Sequence, residues 1–505
     1  IIPLMYDCNV TPGDTVKIPI KALVRMQTPL YPVADDLVLD VSAWFVPDRL
    51  NWVHFKEFWG ENNTTFWEQP TKYEIPQIEA PQGGWTEGSL ADYLQIPTKV
   101  DGIEVSHMPF RAYCNIWNEF WRDENLKEPI FYNTDETTLT GKNYDASTYD
   151  YTTDIQLGAA PAKAAKRADY FTKSLPEPQK GPDILIPLGE SAPIIGTDDI
   201  PTSQSYSLWQ NGVGKELFIG KSTELSIQEE ENGTPMPNYN RIGLAVDLEN
   251  ALGATVNTLR RAVSLQRYCE TLARSGSRYI EILRGVFGVK SSDARLQRPE
   301  FLGGKSFPIS MAEVQNTAQS SGNQLGNVGG TSKTIINDYL CTKSFEEHGT
   351  LMVLGVCRIR KHTYQQGIPR MLTRKKQTDF YNRAFDHLGE TIVRNDEIFA
   401  QGTSTDTEAF GYQPAFEDMR LGRASVTGEM RSNATTSLDS WHYADDYATL
   451  PTLSSDWINE DKTNVDRTLS INSSVSNQIY GDFLFNTEWT RGMSMYGTPG
   501  FMDHM

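Results

Sequence analysis

The densest cluster of chemistry-bearing side chains in this 505-residue chain lies between positions 358 and 376. Arg358, Arg360, Lys361, His362, Arg370, Arg374, Lys375 and Lys376 fall there, with Tyr364 among them. Cations at this density suit phosphate, and an interleaved ring offers a surface on which a base can stack. We single out Arg358, Arg360, Lys361, Tyr364, Arg374, Lys375 and Lys376 as candidate nucleic-acid contacts. A set of arginines paired with acidic residues of neighbouring copies would look the same in sequence. A second basic row, Arg260, Arg267 and Arg274, recurs every seven residues. Glu270 sits three residues after Arg267 and four before Arg274, so that row reads as a salt-bridged helix face.

Motifs for group transfer are incomplete. Gly303-Gly304-Lys305-Ser306 ends like a phosphate-binding loop, but Pro299 stands where the first glycine belongs. Gly212 and Gly214 lack the third glycine of a dinucleotide fingerprint, and neither HExxH nor GxSxG occurs. Five cysteines, widely spaced and odd in number, argue against a disulfide framework and for a reducing cytosol. With no CxxC and seven scattered histidines, no metal-ligating, cofactor-binding or catalytic residue is assigned. Carboxylates beside aromatics, Glu119 next to Phe120 and Trp121, and Asp445 and Asp446 near Trp441, keep a second reading open. That reading is a β-sandwich carbohydrate-binding protein or glycoside hydrolase, whose chemistry needs two carboxylates at a set separation.

The elements that must position these groups are β-like at both ends of the chain. From Asp14 to Met26, Val16, Ile18, Ile20, Ala22, Val24 and Met26 alternate with Lys17, Lys21 and Arg25, and Pro19 predicts an edge or a bulge. Leu37 to Val46 alternates Leu39, Val41, Ala43 and Phe45 against Asp40 and Ser42. Leu351 to Ile359 is apolar on both faces and predicts a buried strand. Ile479 to Trp489 alternates again and is expected beside the first strand. Between them, NWVHFKEFWGEN reads as a short aromatic helix, and Pro109 opens an amphipathic helix through FRAYCNIWNEFWRDENL. Val256, Leu259, Ala262, Val263, Cys269 and Ala273 share one side of a helix that Gly276 ends, and Tyr279 to Phe287 forms a second. Lys127 to Ala165 and Ser191 to Arg241 lack periodicity and read as long loops. The net charge of −19 rules out DNA binding over most of the surface, so nucleic acid must meet a local patch or a separate basic partner. No apolar run reaches the length of a membrane span and no signal peptide opens the chain; Ile1 starts in mid-pattern, so a leader segment is expected to precede it.

Ser291 to Gly304, SSDARLQRPEFLGG, with the preceding GSRYIEIL, resembles the major capsid protein of the Microviridae, on the gokushovirus side. TPGDTVKI, WFVPDRLNWVHFKEFWGEN, MPFRAYCNIWNEFWRDENL, KSFEEHGTLMVLGV, HTYQQGIPRM, FGYQPAFEDMR and LDSWHYADDYATLPTLSSDWI are similar to segments of that family in the same order. The departures fall in the two loops, where the family varies. The resemblance implies a mainly β viral jelly roll, an antiparallel eight-stranded β-sandwich with long, partly helical insertions. It implies one capsid domain over residues 1–505, with insertions at about 127–165, 191–241 and 255–304. It further implies a T=1 icosahedral homo-oligomer of about sixty copies around a circular single-stranded DNA genome, a small basic DNA-binding packaging protein, and a bacterial host receptor. The second insertion is then an outward protrusion at the three-fold axes, with Tyr206 and Trp209 as host-attachment candidates.

Overall fold

The computed structural model describes residues 1–61, 73–182, 184, 256–276, 278–319 and 325–493, with the backbone alone at 194–196, 205–210, 213–218, 226–228 and 244–246. The chain divides into two compact units, one of residues 1–178 with 273–505 and one of residues 179–272.

The larger unit is mainly antiparallel β, a jelly-roll sandwich of two sheets. The strands of the two sandwich sheets are β1 (Ile2–Val10), β2 (Thr15–Met26), β3 (Leu37–Pro47), β4 (Glu300–Pro308), β5 (Thr334–Ser344), β6 (Gly349–Ile359), β7 (Ile479–Phe485) and β8 (Glu488–Thr490). One sheet runs β1-β6-β3-β4; in the other, β2 lies between β5 on one side and β7 with β8 on the other. β2 and β7, near the two ends of the chain, are therefore neighbours, as their matched alternation predicts, with Ile479 opposite Met26 and Phe485 opposite Ile20. Val16, Ile18, Ile20, Ala22, Val24 and Met26 meet Leu39, Val41, Ala43, Phe45, Leu351 and Val353 in one core between the sheets. Period-two alternation places every second side chain on that face.

Pro19 lies in the middle of a central strand, not at an edge, and both neighbours are interrupted beside it. In β5 the pairing skips Leu340, since Tyr339 faces Pro19 and Cys341 faces Ile18. On the other side β7 stops opposite Ile20 and β8 resumes opposite Lys17. A residue with no N–H cannot complete a ladder, and the bulge absorbs it. The Leu340 carbonyl in turn approaches Gly303 of β4, where a Cβ would stand 2.9 Å from that oxygen. The glycines that imitate a phosphate loop thus permit a close strand crossing.

β3 and β6 are buried on both faces, because a helical layer covers the side away from the sandwich. Trp44, Val46, Met352 and Leu354 pack there with Phe110, Tyr113, Cys114 and Trp117. The helix, α1 (Met108–Ile116), begins with Pro109 in its first turn and continues as a π-helical turn from Trp117 to Trp121. The 127–165 stretch is held by the same layer: Ile130, Ile155, Ala162 and Ala164 are buried in it, and Asn118 clasps the Ile130 backbone through two hydrogen bonds of 2.7 Å. The predicted aromatic helix near residue 52 is two short ones, Asp48–Asn51 and Phe55–Phe58, with Trp52 buried between them.

α2 (Val256–Ser275) and α3 (Tyr279–Phe287) form at the expected places. Their apolar residues Val256, Leu259, Val263, Tyr279 and Phe287 are nonetheless exposed, and Ala273 alone is buried. The expected pairing through Glu270 is replaced: Glu270 accepts from Gln266 at 2.9 Å, and Arg274 reaches Glu390. In the smaller unit, backbone strands 205–210 and 213–218 form an antiparallel pair joined by 226–228, and 194–196 pairs with 244–246.

Candidate nucleic-acid interface

β6 carries the basic cluster out of the sandwich. Arg358 is diagonal to Asp40 across the β6–β3 ladder, where Asp40 faces Val356, and a long side chain bridges that offset. Its Nε and Nη2 donate to Asp40 Oδ2 at 3.1 and 2.5 Å, and Nη1 donates to the Ala165 carbonyl at 3.2 Å. Asp40 also takes the Ser306 hydroxyl and, at 3.4 Å, Arg167. Arg374 is likewise engaged, donating to Asp418 Oδ2 at 2.7 Å, and Arg360 reaches Asp36 at 3.1 Å on the surface. The pairing partners that sequence placed on neighbouring copies therefore lie within the same chain for these three arginines. Lys361, Lys375 and Lys376 are exposed.

Tyr364 is not available for stacking. It is 3% exposed, its hydroxyl donates to Asp169 Oδ2 at 2.8 Å, and its ring meets Phe171 at 4.6 Å. It belongs to a third core with Tyr170, Phe171, Val393, Ile398 and Phe410, beneath the loops that follow β6.

That core holds an ionic centre that the sequence did not reveal. His362 Nδ1 lies 2.9 Å from Asp445 Oδ2 and its Nε2 3.2 Å from Glu460 Oε2. Burial pulls the imidazole pKa down, but the hydrogen bonds and charges of the two carboxylates outweigh it and raise it to about 9. Both ring nitrogens then donate. For Asp445, burial pushes upward, yet His362, Lys166 and Asn464 hold it below the usual carboxylate range. Lys166 sits 3.8 Å from Asp445 and 4.7 Å from the Trp457 ring centre. Nearby, the buried Glu397 accepts from Tyr170 at 2.9 Å and from Arg370 at 3.0 Å. The partners of His362 lie 83 and 98 residues away and those of Glu397 27 and 227 away, so no local motif announces the network.

The carboxylates that kept a hydrolase open serve separate pairs: Glu119 lies 3.6 Å from Arg298, and Asp445 is locked on His362. Tyr206 and Trp209 fall in the 205–210 strand, and their side chains lie outside the described residues. Among the described residues, no three His, Cys, Asp or Glu side chains are grouped to hold a metal ion, and no helix is long and apolar enough to cross a membrane.

Comparison with known proteins places this arrangement. A family described as capsid protein (F protein) matches residues 1–501. The chain is 40% identical over 514 residues to the capsid protein VP1 of Spiroplasma virus 4, covering 99% of this chain and 92% of that protein. It is 36% identical to the capsid protein VP1 of Bdellovibrio phage phiMH2K and 33% identical to that of Chlamydia phage 1, with the same coverage of each.

Proposed function

This chain belongs to the F protein family of phage capsid proteins, those of the Microviridae, and is a component of the virion; from that premise we propose that about sixty copies close into a T=1 icosahedral shell around a circular single-stranded DNA genome. The observation that carries this reading is the match to capsid proteins along 99% of the chain. The shell is assembled in the host cytoplasm, where five free cysteines stay reduced. A wall of charge −19 per copy cannot condense DNA by itself, so a small basic packaging protein is the partner that its charge calls for. The chain is one capsid domain with insertions, and no catalytic residue is proposed.

The 191–241 insertion is proposed to project outward at the three-fold axes and to meet a receptor on the bacterial host. Sequence supports this: the stretch is polar, acidic and punctuated by glycine and proline, and recognition usually resides in loops carried by a rigid scaffold. Deleting residues 210–235 should leave particles that assemble and protect their DNA from nuclease but adsorb poorly to host cells. Adsorption at the normal rate would remove the receptor role and leave the shell assignment standing.

A further inference from the structure

We propose that the surface arm from Met371 to Leu388 is the segment that grips the single-stranded genome, with Phe380 and Tyr381 stacking on bases and Lys375, Lys376 and Arg383 contacting phosphates. The inference rests on the reading that the shell encloses single-stranded DNA, and it relocates the contact away from Arg358, Tyr364 and Arg374, which the fold engages internally.

Three observations converge on this arm. Its large apolar side chains are left open: Met371 and Leu372 are 68% and 73% exposed, Phe380 and Tyr381 53% and 50%. Its charge runs against that of the chain. Positions 370–388 hold Arg370, Arg374, Lys375, Lys376 and Arg383 against Asp379 and Asp386, within a chain of net charge −19. Arg370 and Arg374 are paired with Glu397 and Asp418, whereas Lys375, Lys376 and Arg383 are exposed and form no ion pair among the described residues. The arm is also braced. Asp379 takes the backbone N–H groups of both Lys375 and Lys376 at 2.8 Å, and those bonds hold its carboxyl below the usual range. The Arg374 guanidinium, fixed on Asp418, lies 5.8 Å from the Phe380 ring, and Tyr381 stands edge-on to Phe416 at 5.4 Å.

Two adjacent half-open rings and three unpaired cations within nine residues match what a single strand presents, a π-face and a phosphate at each nucleotide. Duplex DNA keeps its bases stacked and would leave the rings unused. A second copy of this chain would have to bring carboxylates to all three cations and an apolar surface to the rings.

The test is a fluorescence-anisotropy titration of a labelled oligothymidylate with the purified chain, at several salt concentrations. The K375Q/K376Q/R383Q variant should weaken binding and lower the slope of log affinity against log salt by about 2, since each phosphate contact to a single strand contributes about 0.7. The F380A/Y381A variant should bind about tenfold weaker or more with the slope retained, because stacking is not a counterion effect. Wild-type affinity in both variants overturns the proposal. So does normal oligonucleotide binding combined with failure to form shells, which would make the arm a contact between copies. Wild-type shells empty of DNA would instead sink the genome reading, while the titration would still report on the arm.

Discussion

Charge in this capsid protein is concentrated by sequence and then neutralised by the fold, residue by residue. Arg358 on Asp40, Arg374 on Asp418 and Arg370 on Glu397 are charge-assisted pairs; the first ties β6 to β3 and the other two hold the loops that follow β6 to one another. His362 is the most enclosed of these cations, clamped by Asp445 and Glu460. Its ordinary value of 6.5 rises to about 9 in the fold. The stabilisation it brings is therefore complete below about pH 6.5 and is lost as pH rises through 9. Urea unfolding of the wild-type chain should show a midpoint that falls between pH 7 and pH 9.5. His362→Ala should cost about 3 kcal/mol at pH 7, because two buried carboxylates lose their partner, and should flatten that pH profile. A variant as stable as wild type at pH 7 would show that the clamp contributes nothing. The basic cluster itself was legible in the sequence, but its partners were not. Asp40 stands 318 positions from Arg358 and Asp445 stands 83 from His362, distances that only the β6–β3 register and the packed loops bring to hydrogen-bond length. Exposure is equally hidden in sequence, which marks Tyr364 as a stacking ring although Phe380 and Tyr381 are the exposed ones.

At the scale of elements, strict alternation was readable wherever one face of a strand meets the core and the other meets solvent, as in β2 and β7. It failed for β1, whose pairing with β6 shifts register between Pro3 and Met5 and again between Asp7 and Val10. Each shift breaks the period of two on which such a reading depends. It also understated β3, where Asp40 and Ser42 suggest a solvated face that is in fact covered. For α2 the error ran the other way, since an apolar stripe need not be buried within its own chain. The sandwich instead turns on a short relay: Pro19 interrupts its ladder, Leu340 bulges, and Gly303 leaves room for the displaced carbonyl. Gly303→Ala should thus destabilise the chain by about 1–3 kcal/mol, because the contact it creates is with backbone and cannot rotate away. Thermal unfolding of that variant beside Gly492→Ala, whose Cβ meets nothing within 4 Å, checks this. Equal midpoints for the two would contradict the relay.

In the larger unit, the sandwich core is joined by two further cores, one under the helical layer and one under the loops that follow β6. Large apolar side chains remain exposed on several elements, among them Val256, Phe287, Ile335, Leu484 and Met371. On the proposed reading, closure into a shell would cover such surfaces symmetrically, and the acidic balance would leave a DNA genome to a basic partner and to local patches. Native mass spectrometry of purified, nuclease-treated particles tests this most directly. About sixty copies of a 56.8 kDa chain predict a single closed species of about 3.4 MDa plus the mass of a protected single strand. A chain that remains at 56.8 kDa, or forms only small open oligomers under the conditions in which its relatives' particles are isolated, would contradict the account.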